Sequence, residues 1–330
     1  MQAVWYTQPG AAEQVLTCGE LPTPQAGPGE VRVRLVTSGV NPSDVKSRRA
    51  RPVTDPLIVP HSDGAGVIDQ VGEGVDRQRL GQRVWTWNAQ WQRPMGTAAE
   101  YVVLPQAQAV HLPDNTDFAA GACFGIPALT AVQAVAWAER LAGDLRGKQV
   151  LVVGAASSVG HYITQLVHQA GAQVLGTVGS AERAAHAQAA GLQSPIFYKR
   201  EPVAARVREL TQGQGVDVVI DMDFSGTAAW APEALKPHGT VVCYGSNALE
   251  QNFQYRPWLF GSLGVKFFLV YDLSPADRTV AIARLSGLLE RGALQHTIGP
   301  RFGLAQTVLA HQAVESGQAI GNVVIDIASA

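Results

Sequence analysis

The first stretch able to do chemistry is Gly154-Ala155-Ala156-Ser157-Ser158-Val159-Gly160. It follows Gln149-Val150-Leu151-Val152-Val153, an apolar run suited to a strand buried on both faces. After it, Val159, Ile163, Leu166, Val167 and Ala170 recur three or four apart on one helical face, and Gly171 supplies the stop. A strand, a turn of small residues and a helix N-terminus together make a cradle for a diphosphate. Backbone amides can approach it closely, and the helix dipole favours its charge. The three glycine positions of a dinucleotide fingerprint read Ala155, Ser157 and Gly160, and Ser157 crowds the approach more than glycine would. Ala156, Ser157, Ser158 and Val159 are the candidate contacts. A plain strand–helix turn in another kind of α/β protein is the competing reading.

About 20 residues past such a loop, an NAD-binding chain usually places an acid on the ribose 2′-hydroxyl. Here the sequence reads Thr177-Val178-Gly179-Ser180-Ala181-Glu182-Arg183. Gly179 and Ser180 leave room, and Arg183 offers a forked donor for a 2′-phosphate. Lys199 adds a second cation. The pattern favours NADPH over NADH. Glu182 reads better as a first-turn acid meeting the helix dipole, and ordinary surface charge is the rival reading of Arg183 and Lys199.

These residues need a scaffold. At 330 residues the chain exceeds the size at which single cores stop growing, so two domains are expected. Val31 to Val36 alternates apolar with polar, and short strand-like runs at Gly64–Ile68 and Gly81–Trp85 lie among glycine and proline turns. That suggests a small barrel-like domain up to about residue 120. From Phe118 to Leu141 the chain reads as a helix that Pro127 breaks. Strands near 149–153, 174–178, 196–197, 216–220 and 240–244 then alternate with helices near 181–190, 202–211 and 227–235, the order of a doubly wound parallel sheet. A helix over 277–292 follows. The last strand, Val323 to Ile327, is expected to return to the first domain.

Bulk composition narrows the classes. Apolar residues make up 46% and charged residues 16%, a folded composition rather than a disordered one. The net charge of −2 offers no broad basic field for nucleic acid. No run of about 18 apolar residues suggests a membrane span. Cys18, Cys123 and Cys243 are far apart and form no CxxC pair, which points to a reducing, cytoplasmic setting. The opening Met1 to Tyr6 lacks the pattern of a secretory leader.

Several short motifs, in order, give the chain a specific resemblance. They are Gly39-Val40-Asn41-Pro42-Ser43-Asp44, Ser62-Asp63-Gly64-Ala65-Gly66-Val67-Ile68, Gly125-Ile126-Pro127-Ala128-Leu129-Thr130-Ala131, the nucleotide loop, Gly176 to Ser180, and Gly317 to Asn322. The chain resembles the medium-chain dehydrogenase/reductase superfamily over its whole length, and most closely the zeta-crystallin-like quinone oxidoreductases. The resemblance implies an α/β protein with a GroES-like β-rich catalytic domain and an inserted Rossmann domain. Its parts would be 1–124, 125–265 for the nucleotide domain, and 266–330 returning to the catalytic domain. It implies NADPH between the domains, and often a homodimer joined through sheet edges. Carried over by position, Asn41 would lie near nicotinamide and substrate, and Thr130 on the nicotinamide side. Gly245 and Ser246 would line the cofactor, and Phe268, Leu269 and Val270 would approach its carboxamide through backbone groups. Three departures stand out. Lys46 stands where many relatives have tyrosine, His61 where they have glycine, and Asn322 where the tail usually has lysine.

Zinc-using relatives hold their metal with cysteine and a His-Glu pair. Here those places read Asn41 and Ser62-Asp63, and the four-cysteine structural lobe is missing, so no metal is expected. His61 is one residue early, which on a strand turns a side chain to the other face. Without a Lewis acid a conjugated acceptor is the easier substrate, because a quinone becomes aromatic on reduction. Asn41 or Lys46 could then donate to the developing oxyanion. Trp85, Trp87 and Trp91 could wall the cleft, with core packing as the alternative. The expected activity is zinc-independent, NADPH-dependent hydride transfer to a quinone or similar conjugated carbonyl. The rivals are an enone or alkene reductase on the same fold and a zeta-crystallin-like RNA-binding or structural protein.

Overall fold

The computed structural model describes residues 1–327. Its chain forms two compact units, Pro127–Leu285 and, together, Met1–Ile126 with the chain from Ser286 onward.

In the unit formed by the two chain ends, strands β1 (Gln2–Trp5) and β2 (Thr17–Glu20) pair with each other. The larger sheet holds β3 (Glu30–Val40), β4 (Asp63–Val71), β5 (Arg83–Thr86), β6 (Tyr101–Pro105) and β7 (Ala109–His111). It also takes two strands from the end of the chain, β14 (Ile298–Gly303) and β15 (Asn322–Asp326). Strand β3 runs past the alternating stretch read from sequence. Its far half, Thr37 to Val40, is buried although it carries Thr37, Ser38 and Gly39. The reason is pairing on both edges there, with β4 and, antiparallel, with β15 in the register Val323↔Val40. Asn41 follows β3 directly and stands at the cap of helix Pro42–Ala50. The side chains of Val31, Val33, Leu35, Ile68, Val84, Val102 and Leu104 fill the core.

The Pro127–Leu285 unit carries one sheet of six strands: β8 (Gln149–Val152), β9 (Gln173–Val178), β10 (Ser194–Phe197), β11 (Val216–Asp221), β12 (Leu235–Cys243) and β13 (Gly264–Phe267). Every pair is parallel, in the order β10-β9-β8-β11-β12-β13. The direction of winding therefore reverses between β8 and β11, and in such sheets ligands bind outside the strand C-termini at that reversal. Leu151, Leu175, Ile196, Val219 and Val241 are buried beneath the helices, as near-continuous apolar strands require.

The break expected at Pro127 is present, and a second expected helix is also interrupted. The stretch 118–141 contains a turn at Phe118–Gly121, a π-type turn at Phe124–Ala128 and a helix at Leu129–Ala142. Pro127 has no N–H to give the ordinary ladder, and the wider turn absorbs it. The helix expected near 227–235 is two single turns, Phe224–Thr227 and Ala231–Ala234, with Pro232 at the start of the second. No described helix is long and apolar enough to cross a membrane.

Candidate cofactor and acceptor sites

The small-residue loop crosses from β8 to helix Ser158–Gln169. Its tightness comes from two glycines. Gly154 has φ +73°, and a Cβ there would sit 2.3 Å from Met222 Sδ. A Cβ on Gly160 would sit 2.1 Å from the carbonyl oxygen of Gly154. Next-strand groups hold the loop: the Gly154 amide donates to Thr177 Oγ1 at 2.8 Å and the Ala155 amide to the Thr177 carbonyl at 3.1 Å. Ser157 caps the helix, its Oγ accepting from the Gly160 amide at 3.0 Å. The Ser157 hydroxyl, expected to crowd a cofactor's approach, is thus turned onto its own helix. The buried Tyr244 phenol faces this serine, and burial, with the nearby Asp221 charge, pushes its pKa far up. No hydrogen bond within the described chain engages the amides of Ala156 and Val159. Two amides at the start of a helix, without a partner among the described residues, fit a diphosphate.

At the end of β9 the adenosine-side candidates gather. Ser180 caps helix Ala181–Ala189, accepting from the Arg183 amide at 3.3 Å. A Cβ added at Gly179 would touch Tyr198 Oη at 3.4 Å and Lys199 Cε at 3.8 Å, so both side chains reach this glycine. Tyr198 is half exposed, and the sequence alone does not single it out. Its signal is position, one residue past β10 and beside Lys199. Glu182 is exposed in the first helical turn.

Further along the same sheet edge, Gly245 lies against the Met222 carbonyl, which a Cβ would approach to 2.5 Å. Ser246 Oγ donates to the Ala248 carbonyl at 3.0 Å. Asp223 clamps this turn, accepting from the Asn247 amide at 2.9 Å and Asn247 Nδ2 at 2.8 Å. Burial pushes the neighbouring Asp221 up to about 6, while hydrogen bonds from Thr227 and Asp223 pull it down. Of the carboxamide candidates, the Phe268 amide is spent on the Cys243 carbonyl at 3.1 Å. The Leu269 carbonyl accepts from Asp272, and the Val270 carbonyl takes Arg278 Nη2 at 2.5 Å. Thr130 is buried in the first turn of helix Leu129–Ala142.

The other unit builds a different kind of site. Asn41, Asp44 and Asp63 are all buried. Asn41 Nδ2 donates to Asp63 Oδ2 at 2.9 Å, and the Asn41 amide donates to Asp44 Oδ2 at 2.7 Å. The Asn41 side chain also bonds Asp44. Burial pushes Asp44 up to about 7, against the lowering pull of those bonds. Asp63 lies well above the carboxylate range, through burial and then the charge of Asp44. The nearby cation, Arg48, is paired with Glu315. Two buried carboxyls whose neighbouring cation is already paired retain a proton between them near neutrality. Sequence reasoning passes over Asp44 and Asp63, except as a place where zinc is not held.

The remaining candidates fall elsewhere. Lys46 is on the exposed side of its helix. Asn322 is buried and donates to the Thr297 carbonyl at 3.1 Å, so its amide ties β15 to the residue just before β14. Trp85 is fully buried, edge-on to Phe124, and belongs to the core. Trp87 Nε1 donates to the Ala107 carbonyl, and Arg51 lies over Trp91. Cys123 is buried, its thiol pushed well up by burial and by Asp63 and Asp117. His61 is buried in a hydrogen-bonded pair with His311. Among the described residues no group of three or more His, Cys, Asp or Glu could hold a metal ion.

Comparisons with known proteins agree with this architecture. Residues 27–114 match the alcohol dehydrogenase GroES-like domain family, and residues 158–286 match a family described as zinc-binding dehydrogenase. The chain is 32% identical to a quinone oxidoreductase of Pseudomonas aeruginosa, over 94% of this chain and 95% of that one. It is 28% identical to a 2-haloacrylate reductase of a Burkholderia species, over 91% of each. Among solved structures, an NAD-dependent alcohol dehydrogenase superposes with TM-score 0.88 at 29% identity, covering 99% of this chain and 100% of that one. A mycobacterial protein complexed with NADPH does so with TM-score 0.87 at 26% identity, with the same coverage. With a GroES-like unit, a six-stranded Rossmann-like sheet and near full-length similarity to quinone oxidoreductases, the chain belongs to the medium-chain dehydrogenase/reductase superfamily, among its zeta-crystallin-like oxidoreductases.

Proposed function

We propose that this chain is an NADPH-dependent reductase that delivers hydride to a quinone or similar conjugated carbonyl without a metal. The observation that carries the reading is the adenosine end of the crossover. Gly179 and Ser180 leave space there, Tyr198 and Lys199 reach in, Arg183 follows, and no acid stands at the end of β9. A 2′-phosphate gains charge-assisted hydrogen bonds from such a set, and an unphosphorylated ribose lacks its usual carboxylate partner. The bound nicotinamide supplies the hydride.

The protein's own part is to hold and orient. Ala156 and Val159 offer their amides to the diphosphate, and the helix dipole adds to them. On the acceptor side we assign Asn41 an orienting role, since its amide is committed to Asp63 and Asp44. The proton that completes reduction is held at the Asp44–Asp63 pair, with Asp44 titrating near 7. Residues standing where relatives keep zinc ligands, Asn41 and Ser62-Asp63, support metal-free chemistry. The Burkholderia relative favours a second reading, reduction of an activated alkene.

Assembly and setting belong to the same proposal. Strand β13 is the last strand at one edge of its sheet, and the same unit exposes Tyr255, Leu259, Phe260, Phe267 and Leu269. An open edge beside apolar side chains suits pairing with a second copy. Three free cysteines suit a reducing cytoplasm.

Steady-state assays test the chemistry. With NADPH, 1,4-benzoquinone is expected to turn over faster than methyl vinyl ketone or 2-chloroacrylate. Faster alkene reduction would favour the second reading, and no oxidation of NADPH with any of the three would overturn both.

A further inference from the structure

His61 and His311 come together from 250 positions apart. Both are fully buried, with ring centroids 5.1 Å apart and planes inclined by 27°. His61 Nε2 lies 2.9 Å from His311 Nε2, and His61 Nδ1 lies 2.9 Å from Ser38 Oγ. Ser38 Oγ is 2.8 Å from Thr97 Oγ1, which donates to the Asp63 carbonyl at 2.5 Å. Burial holds both histidines neutral. His311 is pushed down to about 3, with Arg48 adding to the effect, and His61 well below its ordinary value, with His311 adding.

Neutral rings fix the direction of this chain. A neutral imidazole has one donor and one acceptor nitrogen. Among the described residues His311 Nδ1 has no partner. If it carried the proton, a buried donor would stand unsatisfied. With the proton on Nε2 instead, every donor in the series is used. His311 donates to His61, His61 Nδ1 to Ser38, Ser38 to Thr97, and Thr97 to the Asp63 carbonyl. A series that ends on a backbone carbonyl passes no proton to a substrate. It does pin the main chain of Asp63, and the Asp63 side chain in turn holds Asn41. His61 meanwhile sits at φ +76°, a conformation that residues other than glycine rarely adopt. Something must offset that strain, and its burial and two ring hydrogen bonds are what the structure offers.

We propose that His61 and His311 are a positioning pair that sets Asn41 and Asp63 for the acceptor. The proposal rests on the reading of Asn41 as lying at the acceptor end. The helix Thr307–Glu315, arriving late in the chain, thereby reaches the start of β4.

Three variants test it, with 1,4-benzoquinone as acceptor and NADPH affinity measured separately. His311→Leu removes the donor, and His311→Gln keeps an N–H of similar reach. Leu104→Ala, in the core of the same unit, is the control for lost stability alone. The expected result for His311→Leu is a fall in kcat of roughly tenfold to a hundredfold, the scale of a misplaced reacting group, with NADPH affinity unchanged. His311→Gln should recover most of that loss, and Leu104→Ala should keep kcat below its melting temperature. Equal kcat in His311→Leu and Leu104→Ala would overturn the positioning role, and so would failure of His311→Gln to recover any activity while folded. If the unaltered protein reduces no quinone, the functional reading fails instead.

Discussion

The nucleotide crossover and the Asn41 cluster solve opposite problems. The crossover keeps side chains small, and among the described residues no hydrogen bond engages the amides of Ala156 and Val159. The Asn41 cluster packs two carboxyls, an amide and two histidines out of water, joined by hydrogen bonds from Asn41 to both carboxyls and between the two rings. One site is made of backbone and local spacing, the other of side chains from distant segments. The first should therefore be broken by added bulk, and the second by a lost hydrogen bond or a change in pH.

The largest effect should follow Gly160→Ala. Its methyl group would meet the Gly154 carbonyl oxygen at 2.1 Å, a backbone atom with no flexible end to yield. NADPH affinity should fall at least about a hundredfold, because the helix N-terminus must shift to make room. Fluorescence titration reads this, and an unchanged affinity would show that the crossover does not grip the cofactor. Next, Arg183→Ala should weaken NADPH by roughly tenfold to a hundredfold, the worth of a charged hydrogen bond. NADH affinity should barely change.

The crossover is the more legible site in the sequence because its loop and the start of its helix are contiguous. Gly154, the small run and the periodic helix are neighbours, and Arg183 falls at the expected distance. Tyr198 escapes a sequence reading because its approach to Gly179 depends on β10 pairing with β9. The acceptor side is far less legible. Asn41 can be marked from its motif, but Asp63 reaches it only through the register Gly39↔Asp63. His61 looks like a loop histidine because its partner is on a helix 250 residues later. Lys46 and Asn322 show the converse. Motif position marks them, and exposure of the one and the Thr297 bond of the other give them different surroundings.

The pH response separates the two halves of the Asn41 cluster. The fold keeps Asp44 protonated up to about 7, whereas the unfolded chain releases that proton near 4. Its contribution to stability is therefore present at low pH and lost as pH rises from about 4 through about 7. The histidines act in the other sense. The fold holds them neutral, while the unfolded chain binds protons below about 6.5, so their contribution is lost as pH falls from there. In the intact protein these trends oppose each other. Asp44→Asn should make the melting temperature fall more steeply on acidification. Replacing both histidines, as His61→Gly with His311→Leu, should make it fall less steeply or rise. Thermal melts between about pH 4 and about pH 8 read both slopes, and parallel curves for the two variants would contradict the assignment. The smallest effect belongs to Asn322→Ala. It should lower stability by about 1 kcal/mol, the worth of one buried hydrogen bond, and leave NADPH affinity within about twofold.

The most direct measurement is calorimetric titration of the unaltered protein with NADPH and with NADH under the same salt. Lys199 beside Gly179, with Arg183 following and no acid at the end of β9, predicts that NADPH binds at least about tenfold tighter and that added salt narrows the difference. Equal affinities, or tighter NADH, would contradict it.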